Sequence, residues 1–234
     1  MDMSAQFGPP LTAEFFDRPV LQVAPEVLGC VVTHGPVAVR LTEVEAYDGA
    51  DDPGSHAFRG QTPRTEAMFG PPGGLYVYFT YGMHFCANLV CGPAGRASAV
   101  LMRAGEVIAG QSVATDRRTR PGKAAPKQRD LARGPARLAS ALGLDREQNG
   151  LFVTGGGPVT VHAPAQRAPE EMATGPRVGV SGPGGDAQDF PWRFWSVGEP
   201  TVSVYRPGVR RSERRGLSGR AGGGGATRRG QTRP

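Results

Sequence analysis

The spacing of apolar and polar positions changes period several times along the chain, and the changes mark its elements. LTAEFFDRPVLQVAPEVLG, residues 11–29, reads as a short helical opening, with Ala24-Pro25-Glu26 able to start a turn of helix. Strand-like runs follow at Cys30–Thr33 and Val37–Ala46, joined by His34-Gly35-Pro36. Residues 48–74 are a Gly/Pro/Asp-rich loop, long enough to be functional rather than a connector. Leu75–Thr80 and His84–Val90 read as two strands around Tyr81-Gly82, a hairpin signal. Ser98–Met102 reads as another strand, and residues 115–130, rich in Arg, Pro and Lys, as a loop. Gly134–Leu142 begins a helix, with Leu138, Ala141 and Leu142 at helical spacing. Later strands are expected at Leu151–Thr154, Val159–His162, Arg177–Val180 and Thr201–Tyr205. There is no internal repeat. Together these elements predict a mixed α/β single domain.

Composition sharpens the domain limits. The 234 residues suit one domain with tails, and 35 Gly and 22 Pro call for long loops. Residues 1–10 are expected to be a flexible leader, residues 11–206 the folded domain, and residues 207–234 a disordered Arg/Gly-rich tail. The net charge of +6 belongs to that tail: residues 208–234 hold eight Arg and one Glu, so the rest of the chain sums to about −1. Basicity alone therefore does not argue that the folded part binds nucleic acid. Cys30, Cys86 and Cys91 form no disulfide framework, no secretory signal opens the chain, and no apolar run reaches membrane-spanning length. A protein of a reducing compartment with no membrane association is expected.

Candidate chemistry concentrates between residues 42 and 88. Glu45 ends a strand that carries Val37, Val39, Leu41 and Val44. Strict alternation puts it on the face of Leu41 and Val39 and so partly out of water. A desolvated carboxylate with an arginine nearby suits a general base that deprotonates a water; it equally suits a strand-end ion pair. Four of the five tyrosines, Tyr47, Tyr76, Tyr78 and Tyr81, fall close by, with Tyr76 and Tyr78 on one strand face. Flat rings of this kind can sandwich an extruded base, or simply line a sheet. His84, Cys86 and Cys91 do not have metal-ligand spacing, since alternation turns Cys86 and Cys91 to opposite faces; no metal and no cofactor are expected. The only lysines, Lys123 and Lys127, sit in a polar Pro-rich loop, which disfavours attack by a buried amine and favours an activated water.

The segments LTAEFFDRPV, EAY, HAFRGQTPR, MFGPPGGLYVYFTYGMHFCAN, VLMRAGEV, LARGPARLASALGL, GPRVGV and PWRFW resemble, in order over about residues 11–206, the alkyladenine (3-methyladenine) DNA glycosylase family. The resemblance implies a compact α+β domain: an antiparallel-rich curved sheet, flanking helices and a protruding β-hairpin that inserts into DNA. It implies a monofunctional enzyme that flips alkylated purines out of duplex DNA and hydrolyses the glycosidic bond, leaving an abasic site. Residue by residue, Glu45 matches the family's general base and Arg103 the arginine that positions it and its water. Tyr47, His56, Tyr78 and Asn88 match the base pocket, Tyr81 the intercalating residue, and Met68 a DNA contact. The partner implied is double-stranded DNA carrying damaged purines, met by a monomer. The implied location is cytoplasmic and nucleoid-associated in a bacterium, nuclear in a eukaryote. A damage-binding protein without catalysis would not need Glu45 and Arg103. An RNA-binding module would rest on the Arg-rich tail.

Overall fold

A computed structural model describes residues 7–80, 82–164 and 171–208. Tyr81, most of the expected leader and nearly all of the expected tail lie outside the described residues. The frame is an antiparallel sheet of eight strands: β1 (Val31–His34), β2 (Val37–Tyr47), β3 (Leu75–Thr80), β4 (His84–Val90), β5 (Ala99–Ala109), β6 (Val159–His162), β7 (Met172–Gly175) and β8 (Arg193–Ser196). The main path runs β3-β4-β5-β2-β1-β6, and β8 pairs with both β2 and β7. Four helices accompany it: α1 (Ala13–Phe16), α2 (Val20–Glu26), α3 (Gln111–Arg118) and α4 (Pro135–Leu142). The expected α+β class is the one observed.

β2 is the axis of the molecule. Its first half pairs with β1, its second half with β8, and β5 runs along nearly its whole length. With neighbours on both edges and cover on both faces, it is buried at almost every position. Its faces are set by an irregularity. The β2–β5 ladder pairs Leu41 with Gly105, Glu43 with Ala104 and Val44 with Met102, so Thr42 on one strand and Arg103 on the other are left unpaired. An extra residue in a ladder exchanges the faces of everything beyond it. Val39 and Leu41 before the bulge, and Val44 and Ala46 after it, all enter the main core. Glu43, Glu45 and Tyr47 consequently take the opposite face. The expectation that Glu45 shares a face with Leu41 and Val39 is thus overturned. Gly105 lies at this crossing because a Cβ there would collide with the Arg40 carbonyl and the Val39 side chain.

The apolar face of the sheet packs against α2 and α4, with Val23, Leu28, Leu89, Met102, Leu138 and Leu142 fully buried. Burying each large side chain contributes about 1.5–3 kcal/mol. α4 starts with Pro135 and stops at Gly143 in the left-handed region, as its sequence predicts. Pro25 lies in the last turn of α2, closing that helix rather than starting one.

Other boundaries differ from expectation. β5 continues past Met102 to Ala109, and α3 occupies Gln111–Arg118, so the Arg-rich loop begins only at Thr119. The PWRFW segment supplies β8, which the residue pattern alone had not marked. Phe152 makes only an isolated bridge with Gly74, and neither Arg177–Val180 nor Thr201–Tyr205 is a strand.

Candidate active site

The face of the sheet turned away from α2 and α4 carries a cleft of about 390 Å³, within the range of small-molecule sites. Its floor comes from β2, β4 and β5 through Glu45, Asn88, Leu101 and Arg103. β3 contributes Tyr76, Tyr78 and Thr80; residues 53–68 and 178–181 form the remaining walls. Beneath it a small cluster of Ala57, Met68, Tyr76, Val90, Ala97 and Ala99 keeps the floor dry.

Glu45 has no exposed surface. Its Oε2 accepts a hydrogen bond from the Tyr47 hydroxyl (2.9 Å), and its Oε1 accepts one from the Val178 backbone N–H (2.7 Å). Arg103 Nη1 lies 3.3 Å from Oε1. A carboxylate has about four acceptor positions, so the two hydrogen bonds and the Arg103 ion pair fix its orientation and still leave an acceptor position for a further donor. Burial and the adjacent carboxylate push the Tyr47 hydroxyl well above its ordinary value, so it remains a donor at neutral pH.

Arg103 reaches this position because it is the unpaired residue of the β5 bulge. Its Nε donates to Glu43 Oε1 (2.9 Å) and its Nη2 to Ser203 Oγ (3.2 Å). Burial acts to lower the guanidinium, but Glu45 and Glu43 beside it more than compensate and hold it above its ordinary value. Glu43, itself fully buried, accepts from Arg103, from Arg193 Nε (2.7 Å), and from both the hydroxyl (2.9 Å) and the backbone N–H (2.7 Å) of Ser203.

The aromatic wall is ordered by its own contacts. Tyr76 and Tyr78 stack at 5.4 Å between centroids, 27° apart, as two residues on one strand face should. His56 stands edge-on to Tyr78 at 4.6 Å, with its Nδ1 3.4 Å from the Tyr76 hydroxyl. One side of His56 is open to solvent. The desolvation of its ring against the tyrosines, and then the charge of Arg64, lower its pKa, so the imidazole is neutral at pH 7. Asn88 is 4% exposed and donates from Nδ2 to the Tyr76 carbonyl (3.0 Å), which leaves its side-chain oxygen free of that bond.

Seven of the eight residues singled out in the sequence, Glu45, Tyr47, His56, Met68, Tyr78, Asn88 and Arg103, line this one cleft. Tyr81 lies outside the described residues. Met68 is 3% exposed, lines the cleft and packs in the floor cluster. Cys86 lines the cleft while Cys91 lies in the main core, on opposite faces as alternation requires. Among the described residues no group of three or more His, Cys, Asp or Glu is arranged to hold a metal. No described helix is long and apolar enough to cross a membrane.

Residue patterns had not marked the supports behind these side chains. Besides Glu43, Arg193 and Ser203, there is a buried Arg177–Asp52 pair, bidentate at 2.5 and 2.6 Å. Arg177 also donates to the Ala46 carbonyl (2.8 Å) and lies over the Tyr47 ring at 4.5 Å. The signals were present: Glu43 stands two residues before Glu45 in TEVEAY, and Asp52 and Arg177 lie in DGADDPG and GPRVGV.

The family model of methylpurine-DNA glycosylase matches residues 14–200. A protein of Streptomyces avermitilis named "Putative 3-methyladenine DNA glycosylase" is 54% identical over 211 residues, which cover 88% of this chain and 96% of the relative. Proteins of the same name from Frankia casuarinae (52% over 204 residues; 83% and 92% covered) and Leifsonia xyli (54% over 191 residues; 80% and 88% covered) are similar to it as well. A match spanning the sheet, the cleft and the segment that closes over Glu45 establishes that this chain belongs to the methylpurine-DNA glycosylase family.

Proposed function

We propose that this protein is a monofunctional DNA glycosylase of base-excision repair that hydrolyses the bond between an alkylated purine, such as 3-methyladenine or 7-methylguanine, and deoxyribose. The observation that carries this reading is a fully buried carboxylate, Glu45, held by two hydrogen-bond donors and an ion pair with Arg103 at the floor of a tyrosine-walled cleft. Glu45 takes a proton from a water at a free acceptor position of its carboxylate. The oxygen of that water attacks C1′ of the extruded nucleotide, the C1′–N bond breaks, and the base leaves with the bonding electrons. An abasic site remains, and no covalent bond to the protein forms. Neither Lys123 nor Lys127 lines the cleft, which supports water rather than an amine as the attacking group and argues against lyase chemistry.

Substrate preference follows from charge. Alkylation at N3 or N7 places a positive charge on the purine, which weakens the glycosidic bond and draws the ring to electron-rich aromatic faces. Tyr47, Tyr78 and neutral His56 supply such a wall, and the imidazole adds no charge of its own. Asn88 crowds the position where an unmodified guanine would carry its 2-amino group. Neutral lesions such as hypoxanthine or ethenoadenine need protonation on leaving and are expected to react more slowly. Arg103 acts by orienting Glu45, and Tyr81, between β3 and β4, is proposed to fill the space vacated by the extruded base. The enzyme is proposed to act as a monomer on double-stranded DNA in the compartment that holds the chromosome.

The test is release of 3-methyladenine and 7-methylguanine from methylated duplex DNA by wild type and Glu45→Gln. Release by wild type alone supports the mechanism. Tight binding to the lesion without release by either would instead make the protein a damage-binding module.

A further inference from the structure

A buried ion pair, Arg177 with Asp52, stands behind the cleft without lining it, and neither side chain has any exposed surface. Asp52 Oδ1 accepts from Arg177 Nη2 (2.6 Å) and the Gly54 backbone N–H (2.8 Å). Its Oδ2 accepts from Arg177 Nη1 (2.5 Å) and the Asp48 backbone N–H (3.3 Å). The carboxylate thus has all of its about four acceptor positions filled. Arg177 donates as well to the Ala46 and Gly184 carbonyls (2.8 and 2.7 Å). Aromatic rings surround its guanidinium, Tyr47 at 4.5 Å, Trp192 at 5.3 Å and Phe190 at 5.7 Å. A Cβ on Gly54 would collide with that guanidinium, so the loop of Asp52 approaches this closely only with glycine there. A buried pair of this kind is weak evidence for stability; its contacts give it another use.

Two of the three groups that hold Glu45 run through Arg177. Val178, whose backbone N–H donates to Glu45 Oε1, is its chain neighbour. Tyr47, whose hydroxyl donates to Glu45 Oε2, has its ring against the guanidinium. Tyr47 lines the cleft and Arg177 does not, so the cation covers the back of the ring and leaves the front to an extruded base. That placement has an electrostatic consequence. An aromatic ring attracts a cation to either face through one quadrupole. A bare guanidinium behind Tyr47 would therefore oppose a cationic purine in front of it. Asp52, bidentate on the guanidinium, offsets that field.

We propose that Arg177 and Asp52 are positioning residues of the active site with divided tasks. Arg177 sets Tyr47 and Val178 around Glu45. Asp52 offsets the charge of the arginine, so that the Tyr47 ring still accepts a positively charged purine. The inference rests on the glycosylase reading for its substrate. Neither residue touches the base or the attacking water. Arg177 governs the rate through Glu45, and Asp52 governs the preference for charged over neutral bases.

The test uses full-length wild type, Asp52→Asn and Arg177→Gln, with folding checked by thermal unfolding. Single-turnover release of 7-methylguanine from methylated duplex is measured at saturating enzyme, as a rate constant that an unfolded fraction does not change. Affinity is measured by anisotropy for two duplexes that resist cleavage. One carries 2′-fluoro-7-methyldeoxyguanosine, a cation; the other carries its neutral isostere, 7-methyl-7-deazadeoxyguanosine, on the same sugar. Asp52→Asn should lower the cation-to-neutral affinity ratio by about fivefold, the size of one cation–π contact. Arg177→Gln should leave the ratio undiminished. It should slow release by about tenfold to a hundredfold, the effect of a small misplacement at the reacting centre, with affinity for the neutral duplex within about twofold of wild type. Each variant has its own readout, so either one decides if the other does not fold. Normal release by wild type, with the ratio unchanged in Asp52→Asn and the rate constant unchanged in Arg177→Gln, would overturn the role of the pair and leave Glu45 standing. Slowed release with equal loss of affinity for both duplexes would make the pair a structural support only and overturn the proposal as well. No release by wild type, with a lowered ratio in Asp52→Asn, would uphold the charge compensation and overturn the glycosylase reading. No release and an unchanged ratio would overturn both.

Discussion

On one face of β2 and β5, Val39, Leu41, Val44, Val100 and Met102 are sealed against helices. On the other, the same strands present Glu43, Glu45 and Arg103 to one another. Both faces are buried, but by different physics. The apolar face gains free energy with every side chain removed from water. The polar face takes charges out of water and recovers that cost only through complete pairing, and a buried ion pair is often no more stable than an apolar replacement. Glu43 accepts four hydrogen bonds and has no exposed surface. That investment fixes the direction of Arg103, and through it Glu45, more than it stabilises the fold. The paired bulge at Thr42 and Arg103 allows one pair of strands to carry both faces.

Substitutions on the two faces should separate rate from stability. The largest change is expected at Glu45: Glu45→Gln should slow single-turnover base release by about a hundredfold to ten-thousandfold, the usual contribution of a positioned general base. Glu43→Leu leaves two buried guanidinium groups without their shared partner and should cost about 3–5 kcal/mol in denaturant unfolding, with slowed release in the fraction that folds. Leu89→Ala, on the helix face, should cost about 2–5 kcal/mol and leave the release rate of folded protein within about twofold of wild type. Tyr78→Ala should weaken capture of the extruded base by about 1–3 kcal/mol, seen as a lower affinity for lesion duplex.

The smallest effect concerns pH. The pKa of His56 is lowered in the fold by desolvation and Arg64. Between that lowered value and the ordinary value of about 6.5, the unfolded chain binds more protons than the folded one. Stability therefore falls as pH drops through this window, and His56 has no effect above it, where both states are neutral. His56→Phe should flatten stability measured between pH 7.5 and 5; an unchanged slope would show that the ring titrates freely.

The sequence disclosed the fold where period and length were clear. β2, β3, β4 and α4 each carry enough apolar positions in register to be recognised, and most of the cleft follows from Glu45, Tyr76 and Tyr78 lying on them. Alternation cannot reveal the face of Glu45, because a bulge leaves no trace in the pattern: TEVEAY looks regular. The pattern predicts β5 only to Met102 because Arg103, Ala104 and Gly105 interrupt its apolar run at that bulge. β8 is four residues long and acquires its identity by pairing with Glu43–Glu45, a long-range fact. The segments at 177–180 and 201–205 look like strands because valines recur in them (Val178, Val180; Val202, Val204). In the fold Val178 N–H donates to Glu45 and Ser203 N–H to Glu43, carboxylates rather than a neighbouring strand. Arg177 and Arg193 could not be ranked among 25 arginines without knowing which were buried.

The most direct test of the account places one substitution from each face side by side. Single-turnover release of 3-methyladenine from methylated duplex is measured for Glu45→Gln and Leu89→Ala, together with denaturant unfolding of each. The account predicts that Glu45→Gln keeps its stability within about 1 kcal/mol, the usual range for a substitution that preserves packing, and loses release. Leu89→Ala should lose stability and keep release. A Glu45→Gln protein that still releases the base at the wild-type rate would contradict the assignment of chemistry to the polar face.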